Sequence, residues 1–485
     1  MAWFVLDAVA DVDLTAFYGA YRRDGMGRPA YEPAMMVALL LYSYARGVRS
    51  ARKIERACEE DVAFRVIAGL AKPDHATIAR FVDKHEAALA DLFGEVLRLC
   101  DEAGLVRPGV VAVDGTRLAG NASRSSNRDF EEIAREILEE AKAIDAAEDE
   151  LYGEARGDEL PEQLRTREGR REFFRRAREK LSTDDSASVD ASGRAGAEEP
   201  FELDPERIVA RTQGRQGWSR EAGRQLEQRR WSDPCPIPRH RTERLLLAAG
   251  RLEADLFAER AANEAYEQFR QTGRDTKGRR LGAKPNPWVE PPVPQGMVSV
   301  TDPDSRHIKA NIGYVQGYNA QAVVDESQIV LAAEITNSTV DFSQLDPMIT
   351  AAMGELERAG AAGRPEVAVA DAQYWNEQHM DEVISNKHIQ VLIAPDSGTS
   401  TKPRPGWVGG RYSWMRTVLA SPSGRQLYRK RKQMIEPVFA HTKHNRTITR
   451  FLRRGRTAVR TEWRLLMATH NLTKLHRHHL AAAGA

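Results

Sequence analysis

Residues 109–123 read GVVAVDGTRLAGNAS. Val110 to Val113 form a short apolar run, rich in β-branched side chains, that reads as a buried strand ending at Asp114. A second run of this kind, VAVADA at 367–372, carries Asp371. A carboxylate just past a buried strand stands at the rim of a sheet, where open α/β sheets place ligands. One such aspartate is more often a turn-former or a helix cap. Two of them, followed by a glutamate in a basic helix, point to chemistry.

Working outward, GYNAQAVVDE (317–326) and QIVLAAEIT (328–336) read as two strands joined by a short polar turn. A helix over 342–360, the strand at 366–375, a helix over 376–386, a strand at 389–395 and a long amphipathic helix from Thr461 follow. The fold class is therefore α/β, a mixed sheet with flanking helices. Upstream, 33–104 is helical. PAMMVALLLYSYARG opens on Pro33 and closes on Gly47, and Asp74 caps a helix with Ile78 and Phe81 inward and Arg80 and Lys84 outward. That pattern fits a helix-turn-helix as well as an ordinary helical bundle. From Ser125 to about Pro294 the character changes. DFEEIAREILEEAKAIDAAEDEL repeats apolar residues (Phe130, Ile133, Ile137, Ala141, Ile144, Leu151) at a spacing near 3.5, and further helices over 165–181 and 242–269 flank polar or Pro-rich joints. The expected organisation is a helical DNA-binding domain over 1–104, the first core strand over 105–124 and a helical, partly disordered insertion over 125–296. The catalytic core covers 297–460 and a C-terminal helix and tail 461–485.

The totals bound the class. The chain has 485 residues and a formal charge of +1, so any polyanion must be met by local clustering. Cys58, Cys100 and Cys235 are too few and too scattered for a disulfide framework or zinc knuckle. No apolar run approaches the ~20 residues of a bilayer span, and nothing suggests secretion. A cytoplasmic protein with no membrane partner is expected.

The charge is clustered at one place. Residues 425–460 hold a dozen Lys and Arg and a single acid, Glu436. An ion-pair account fits poorly with that ratio. Hard cations such as Mg²⁺ take oxygen ligands from carboxylates and substrate phosphates, and three carboxylates can hold two ions about 4 Å apart across a phosphodiester. Asp114, Asp371 and Glu436 are the candidate ligands, with surrounding cations to pin the DNA backbone. Tyr428, Lys432, Glu436 and Lys443 recur at helical spacing and are expected on one face, with Ile435 and Phe439 on an apolar stripe beside it. Pro437 predicts that Glu436 stands at a helix start or a kink.

The block YRKRKQMIEPVFAHTKHNRTITRFLRRGR resembles the tyrosine-arginine-glutamate-lysine signature of bacterial insertion-sequence transposases with an Asp-Asp-Glu site. The closest likeness is to the IS1182 family, related to the IS4/IS5 group. YEPAMMVALLLYSYARG, PDHATIARF, VVAVDGTRLAGNAS, GYVQGYNAQAVVDE, VADAQYWN and EWRLLMATHNLTKLHRH carry the same resemblance. It implies a ribonuclease-H-like core in which the first and fourth strands are adjacent and bear Asp114 and Asp371, with Glu436 as the third catalytic acid. It implies two Mg²⁺ ions, replaceable by Mn²⁺. Tyr428, Arg431 and Lys443 match the signature, although four residues, not three, separate Arg431 from Glu436, and Lys432 restores the shorter spacing. The DNA-binding set is Tyr428, Arg431, Lys432, Lys443, Arg446, Arg453 and Arg454. The implied partners are double-stranded DNA, as terminal inverted repeats and target, and further copies of the chain in a dimer or larger synaptic assembly.

The function so implied is a transposase that binds element ends and catalyses metal-dependent strand cleavage and transfer. Two rivals stand beside it: a nuclease on the same core without transfer, and a non-catalytic DNA-binding regulator. Secondary candidates have plainer readings. Asn319 and Gln321 face one side of a strand, as site contacts or as polar residues at the core edge. Tyr374 and Trp375 could stack on a base, but packing suits them better. His441 and His444 suit phosphate better than zinc, and the HRHH run at 476–479 reads as a frayed tail.

Overall fold

The computed structural model describes residues 1–21, 29–152, 214–232, 236–275, 278–310, 313–396 and 409–484. The expected helix at 165–181, the polar joint at 182–200 and Cys235 lie outside the described residues. The chain forms two compact units, residues 1–124 with 304–485, and residues 125–303. Among the described residues no helix is long and apolar enough to cross a membrane.

The first unit opens with helices α1 (Ala2–Ala10), α2 (Thr15–Gly19), α3 (Pro33–Ala45), α4 (Ala51–Glu60), α5 (Val62–Ile67), α6 (His75–Lys84) and α7 (Glu86–Glu102). Glu32 caps α3 by accepting from the Met35 N–H, with Pro33 at the first helical position. At its other end Gly47 has a φ of +76°, and a Cβ there would stand 2.8 Å from the Arg446 carbonyl oxygen. Asp74 caps α6 through the Thr77 N–H, burying Ile78 and Phe81 and leaving Arg80 and Lys84 exposed.

Strand β1 (Val110–Ala119) follows. The second unit then begins with strand β2 (Asn127–Arg128) and helices α8 (Phe130–Tyr152), α9 (Arg215–Ser232) and α10 (Arg241–Gln271), and ends with β3 (Val298–Ser299), which pairs antiparallel with β2. Trp218, Leu226, Tyr266 and Phe269 bury the α9–α10 contact, while Ile133 packs with Leu245, Leu252 and Val298. The apolar stripe of α8 is thus used at its start, although Ala141 is exposed.

The first unit resumes with β4 (Arg306–Lys309), β5 (Tyr314–Asp325), β6 (Val330–Thr336), α11 (Leu345–Arg358), β7 (Val367–Ala370), α12 (Glu377–Lys387), β8 (Gln390–Ile393), α13 (Gly410–Ala420), α14 (Pro422–Ala440) and α15 (Arg456–Ala483). The sheet runs β4-β5-β1-β7-β8, with β6 also paired to β5. It is mixed: β1 lies antiparallel to β5 and parallel to β7, and β7 parallel to β8. β1 does not stop at Asp114 as its apolar run suggested. Antiparallel pairing with β5 continues to Ala119 opposite Gly317, whereas parallel pairing with β7 ends at Val113 opposite Ala370. Asp114 therefore stands where β1 loses one of its two neighbours.

Helix α15 is buried almost all round from Val459 to Leu472 and packs on α3, α7 and β6. Trp463, fully buried, donates its indole N–H to the Gln321 carbonyl at 2.9 Å. Burial of such a side chain contributes roughly 1.5–3 kcal/mol. The helix runs through the HRHH segment to Ala483, and His476 stacks edge-on against Phe4 with ring centroids 5.0 Å apart. That ring contact supports the segment expected to fray.

Candidate active site

Continuing the β1–β7 register by one residue sets Asp114 beside Asp371. Their surroundings differ. The Asp114 Oδ1 accepts the Gly115 N–H at 2.8 Å, and its Oδ2 accepts the Arg431 guanidinium at 2.8 Å. Asp371 begins a 3-10 turn, Ala372–Tyr374, and caps it by accepting the Gln373 N–H at 2.8 Å. Burial and the neighbouring Asp371 push the Asp114 carboxyl up to about 7, against the opposing pull of Arg431. Asp371 is raised too, chiefly by burial, with the Gln373 N–H and Arg431 opposing. Burial is the first cause at both carboxyls, and at Asp114 the charge of Asp371 adds to it.

Asp341, which the sequence reading passed over, is a third acid here. Its charge raises both Asp114 and Asp371. It sits between β6 and α11, only 2 % exposed. Its Oδ1 accepts the Asn319 and Gln321 side-chain amides at 2.7 and 2.6 Å, and its Oδ2 accepts Arg117 at 2.9 Å. Nothing in the loop around it has a repeating pattern. The available signal was the Asn319–Gln321 alternation, because two buried amides on one strand face need a shared acceptor. Gly115 makes room for them: a Cβ there would stand 2.3 Å from the Gln321 amide nitrogen and 2.8 Å from Asp341 Oδ1. Tyr374 is fully buried and donates its hydroxyl to Gln321 Oε1, so it packs and does not stack on a base. Trp375, also buried, meets Tyr412 edge-on.

Helix α14 supplies the cations. Ser421 caps it, accepting the Gly424 N–H, with Pro422 at its first position. Pro437 is therefore inside the helix, and Glu436 is neither at a start nor at a break. The helix survives because the acceptor that the missing Pro437 N–H would have used, the Gln433 carbonyl, accepts the Gln328 side-chain amide at 2.8 Å. Arg431, Met434, Ile435 and Val438 face the sheet. Tyr428 is half-buried, and burial raises its hydroxyl pKa, with Arg431 and Asp371 close enough to act on it.

Tyr428, Lys432 and Glu436 lie on one flank of the continuous helix, within about 80° at 100° per residue; of the four expected there, Lys443 lies past the end of α14. Glu436 follows Arg431 by five residues, about 140° round the helix at 100° per residue, and is exposed like Lys432. Among the described residues Glu436 has no hydrogen-bond or ion-pair partner, and no three His, Cys, Asp or Glu side chains gather as a metal-binding group. Lys443 sits in a π-helical turn, His441–Asn445, that shifts the helical phase. It donates to the Arg117 carbonyl at 3.4 Å. Burial and Arg117 lower its pKa.

The remaining cations divide. Arg446 is buried and donates to the Leu466 carbonyl and the Thr469 and Thr442 hydroxyls at 2.9–3.0 Å, stapling the π turn to α15. Its guanidinium does structural work in place of the DNA contact proposed for it. Arg453 pairs with Glu86 at 2.8 Å and Asp83 at 3.3 Å. Arg454 and Lys432 are exposed. His441 faces His470, with ring nitrogens 3.1 Å apart, and burial pushes the pair down to about 4 and about 3, leaving both neutral. His444 is exposed.

Two family models match the chain. One, described as Transposase domain (DUF772), covers residues 3–84, and the other, described as Transposase DDE domain, covers residues 405–476. No curated protein and no solved structure matches it. The first match spans α1 to α6 and the second spans α13, α14, the π turn and most of α15, so it includes Arg431 and Glu436. By these two domains the chain is a DNA transposase of the DDE type.

Proposed function

We propose that this transposase cleaves and rejoins DNA at Asp114 and Asp371, in a ribonuclease-H-like core of the IS1182 kind. The observation that carries the reading is the parallel β1–β7 register, which sets the two carboxylates side by side at the end of the shared ladder. Their chemistry fits a divalent cation. All the donors are oxygens, burial together with the charge of Asp371 lifts Asp114 to about 7, and Mg²⁺ is held by one or two carboxylates with phosphate and water completing its shell. Asp114 and Asp371 would hold the metal, which in such a site activates the attacking oxygen and stabilises the leaving one. Glu436 is the third acid of this reading, and it joins the pair only if α14 rotates or its side chain swings across from the exposed face.

The chain's own groups have other tasks. Arg431 and Arg117 each keep a buried Nε–H with no acceptor among the described residues. A phosphodiester oxygen supplies such acceptors, and guanidinium forks suit phosphate geometry. Lys432 and Arg454 contact the backbone further out. Arg80, Lys84, Arg52 and Lys53, exposed on α4 and α6, read the element ends, the terminal inverted repeats. Two such ends must be held together, so the working form is a dimer or larger assembly.

Labelled end-DNA incubated with a target plasmid and Mg²⁺ tests this. Wild type gives a nick and a joined product; Asp114→Ala and Asp371→Ala give neither but still bind. Cleavage without joining would leave a nuclease, and unchanged activity in both variants would remove these aspartates from the reaction.

A further inference from the structure

Two guanidinium groups border the aspartate pair, and they are used differently. Arg431 is bonded to Asp114 at 2.8 Å. Arg117 reaches the other side, where its Nη2 bonds Gln373, two residues past Asp371, at 3.0 Å. Its charge is already felt by Asp371, yet its ion pair is with Asp341, at 2.9 Å. We propose that Asp341 is a positioning residue: it holds Arg117 off Asp371 and so keeps that carboxylate open to a divalent cation. The inference rests on Asp114 and Asp371 being the metal-holding pair.

Geometry makes Asp341 suited to this. Its carboxylate is fixed by three donors, the Asn319 and Gln321 amides on one oxygen and Arg117 on the other. Arg117, Asn319, Gly115 and Gln321 are cross-strand partners in the β1–β5 ladder, so they share one sheet face, while Asp114 points to the other. Asp341 lies on the first face and ties down Arg117 there. A half-buried guanidinium released from Asp341 would keep its charge and, bonded to Gln373 past the end of β7, would be free to turn to Asp371. It would then compete with a metal ion as Arg431 does at Asp114.

The test is Mn²⁺ binding to the intact DNA-free protein, read as free Mn²⁺ by electron paramagnetic resonance, with a thermal melt of each variant. Asp341→Asn keeps an acceptor for the amides but loses the partner of Arg117. Its Mn²⁺ affinity is expected to fall about tenfold, the usual scale for outer-shell residues. Arg117→Gln, with nothing left to restrain, should bind at least as tightly as wild type. The double variant should recover to within about threefold. A purely structural role would lower the melting temperature of Asp341→Asn without this rescue. Wild-type affinity in Asp341→Asn, a tenfold loss in Arg117→Gln, or a double variant no better than the single would each overturn the proposal. If Asp341→Asn alone does not fold, Arg117→Gln and the double variant decide by the same criteria. Asp114→Asn and Asp371→Asn serve as controls for the site: undiminished binding in both would show that the pair is not the metal site, separately from anything Asp341 does.

Discussion

Arg431 Nη1 lies 2.8 Å from Asp114 Oδ2, so the helix that follows the sheet puts a fixed positive charge on the first aspartate of the pair. A guanidinium there partly offsets the repulsion between Asp114 and Asp371 and competes with any other cation. Arg431→Met is therefore expected to bind Mn²⁺ about tenfold more tightly than wild type without DNA, while losing strand cleavage. Calorimetric titration gives the first quantity and a nicking assay the second. Weaker Mn²⁺ binding would mean that Arg431 supports the metal and does not stand in for it.

The raised Asp114 carboxyl makes a signed statement about pH. Its folded pKa of about 7 lies above the unfolded value near 3.9, so between these the folded chain holds a proton that the unfolded chain has released. Stability from this group is thus fully present below about pH 4 and is lost as pH rises from there through about 7. His441 and His470, pushed down to about 4 and about 3, act in the opposite sense below pH 6.5, so only the difference between wild type and Asp114→Asn isolates the aspartate. Without metal, Asp114→Asn should gain about 2–4 °C in Tm relative to wild type between pH 5.5 and pH 8. A pH-independent difference would contradict the raised carboxyl.

Gln328 and Pro437 form a testable couple. The Gln328 amide satisfies the carbonyl that Pro437 leaves open, so Gln328→Ala should cost about 1 kcal/mol. In a Pro437→Ala background the backbone N–H is restored and the same change should cost much less. A denaturant double-mutant cycle measures the coupling, and additive losses would show that the amide does nothing for the proline.

Exposed and buried cations should separate in salt titrations of DNA binding. Lys432→Ala and Arg454→Ala are each expected to reduce the slope of log affinity against log salt by about 1. Arg446→Ala should leave the slope alone and lower Tm instead, because its guanidinium is spent on Leu466, Thr469 and Thr442. A reduced slope in Arg446→Ala would return it to the DNA surface.

Much of the sheet was readable because buried strands announce themselves. The Val110–Val113 and Val367–Ala370 runs have no polar alternation, and each leads directly to its aspartate. Asp74 and Pro33 marked helix starts for the same local reason. What could not be read depended on partners distant in sequence. The continuation of β1 past Asp114 is set by β5, the helical Pro437 by Gln328, and the phase of Lys443 by a π turn that no spacing rule anticipates. Asp341 was invisible for a related reason: its importance comes from Arg117, Asn319 and Gln321, over two hundred and about twenty residues away.

The β1–β5 ladder also governs when the enzyme comes into being. It joins positions roughly 200 residues apart, Ala119 to Gly317 and Val111 to Asp325, and β7 arrives later still. Such distant pairings form slowly. On the ribosome the first aspartate must wait for its partner strands and for α15, whose Trp463 anchors β5. On the proposed assignment, a chain still being translated carries Asp114 before β5, β7 and α15 have been made, so cleavage would await nearly the whole of synthesis.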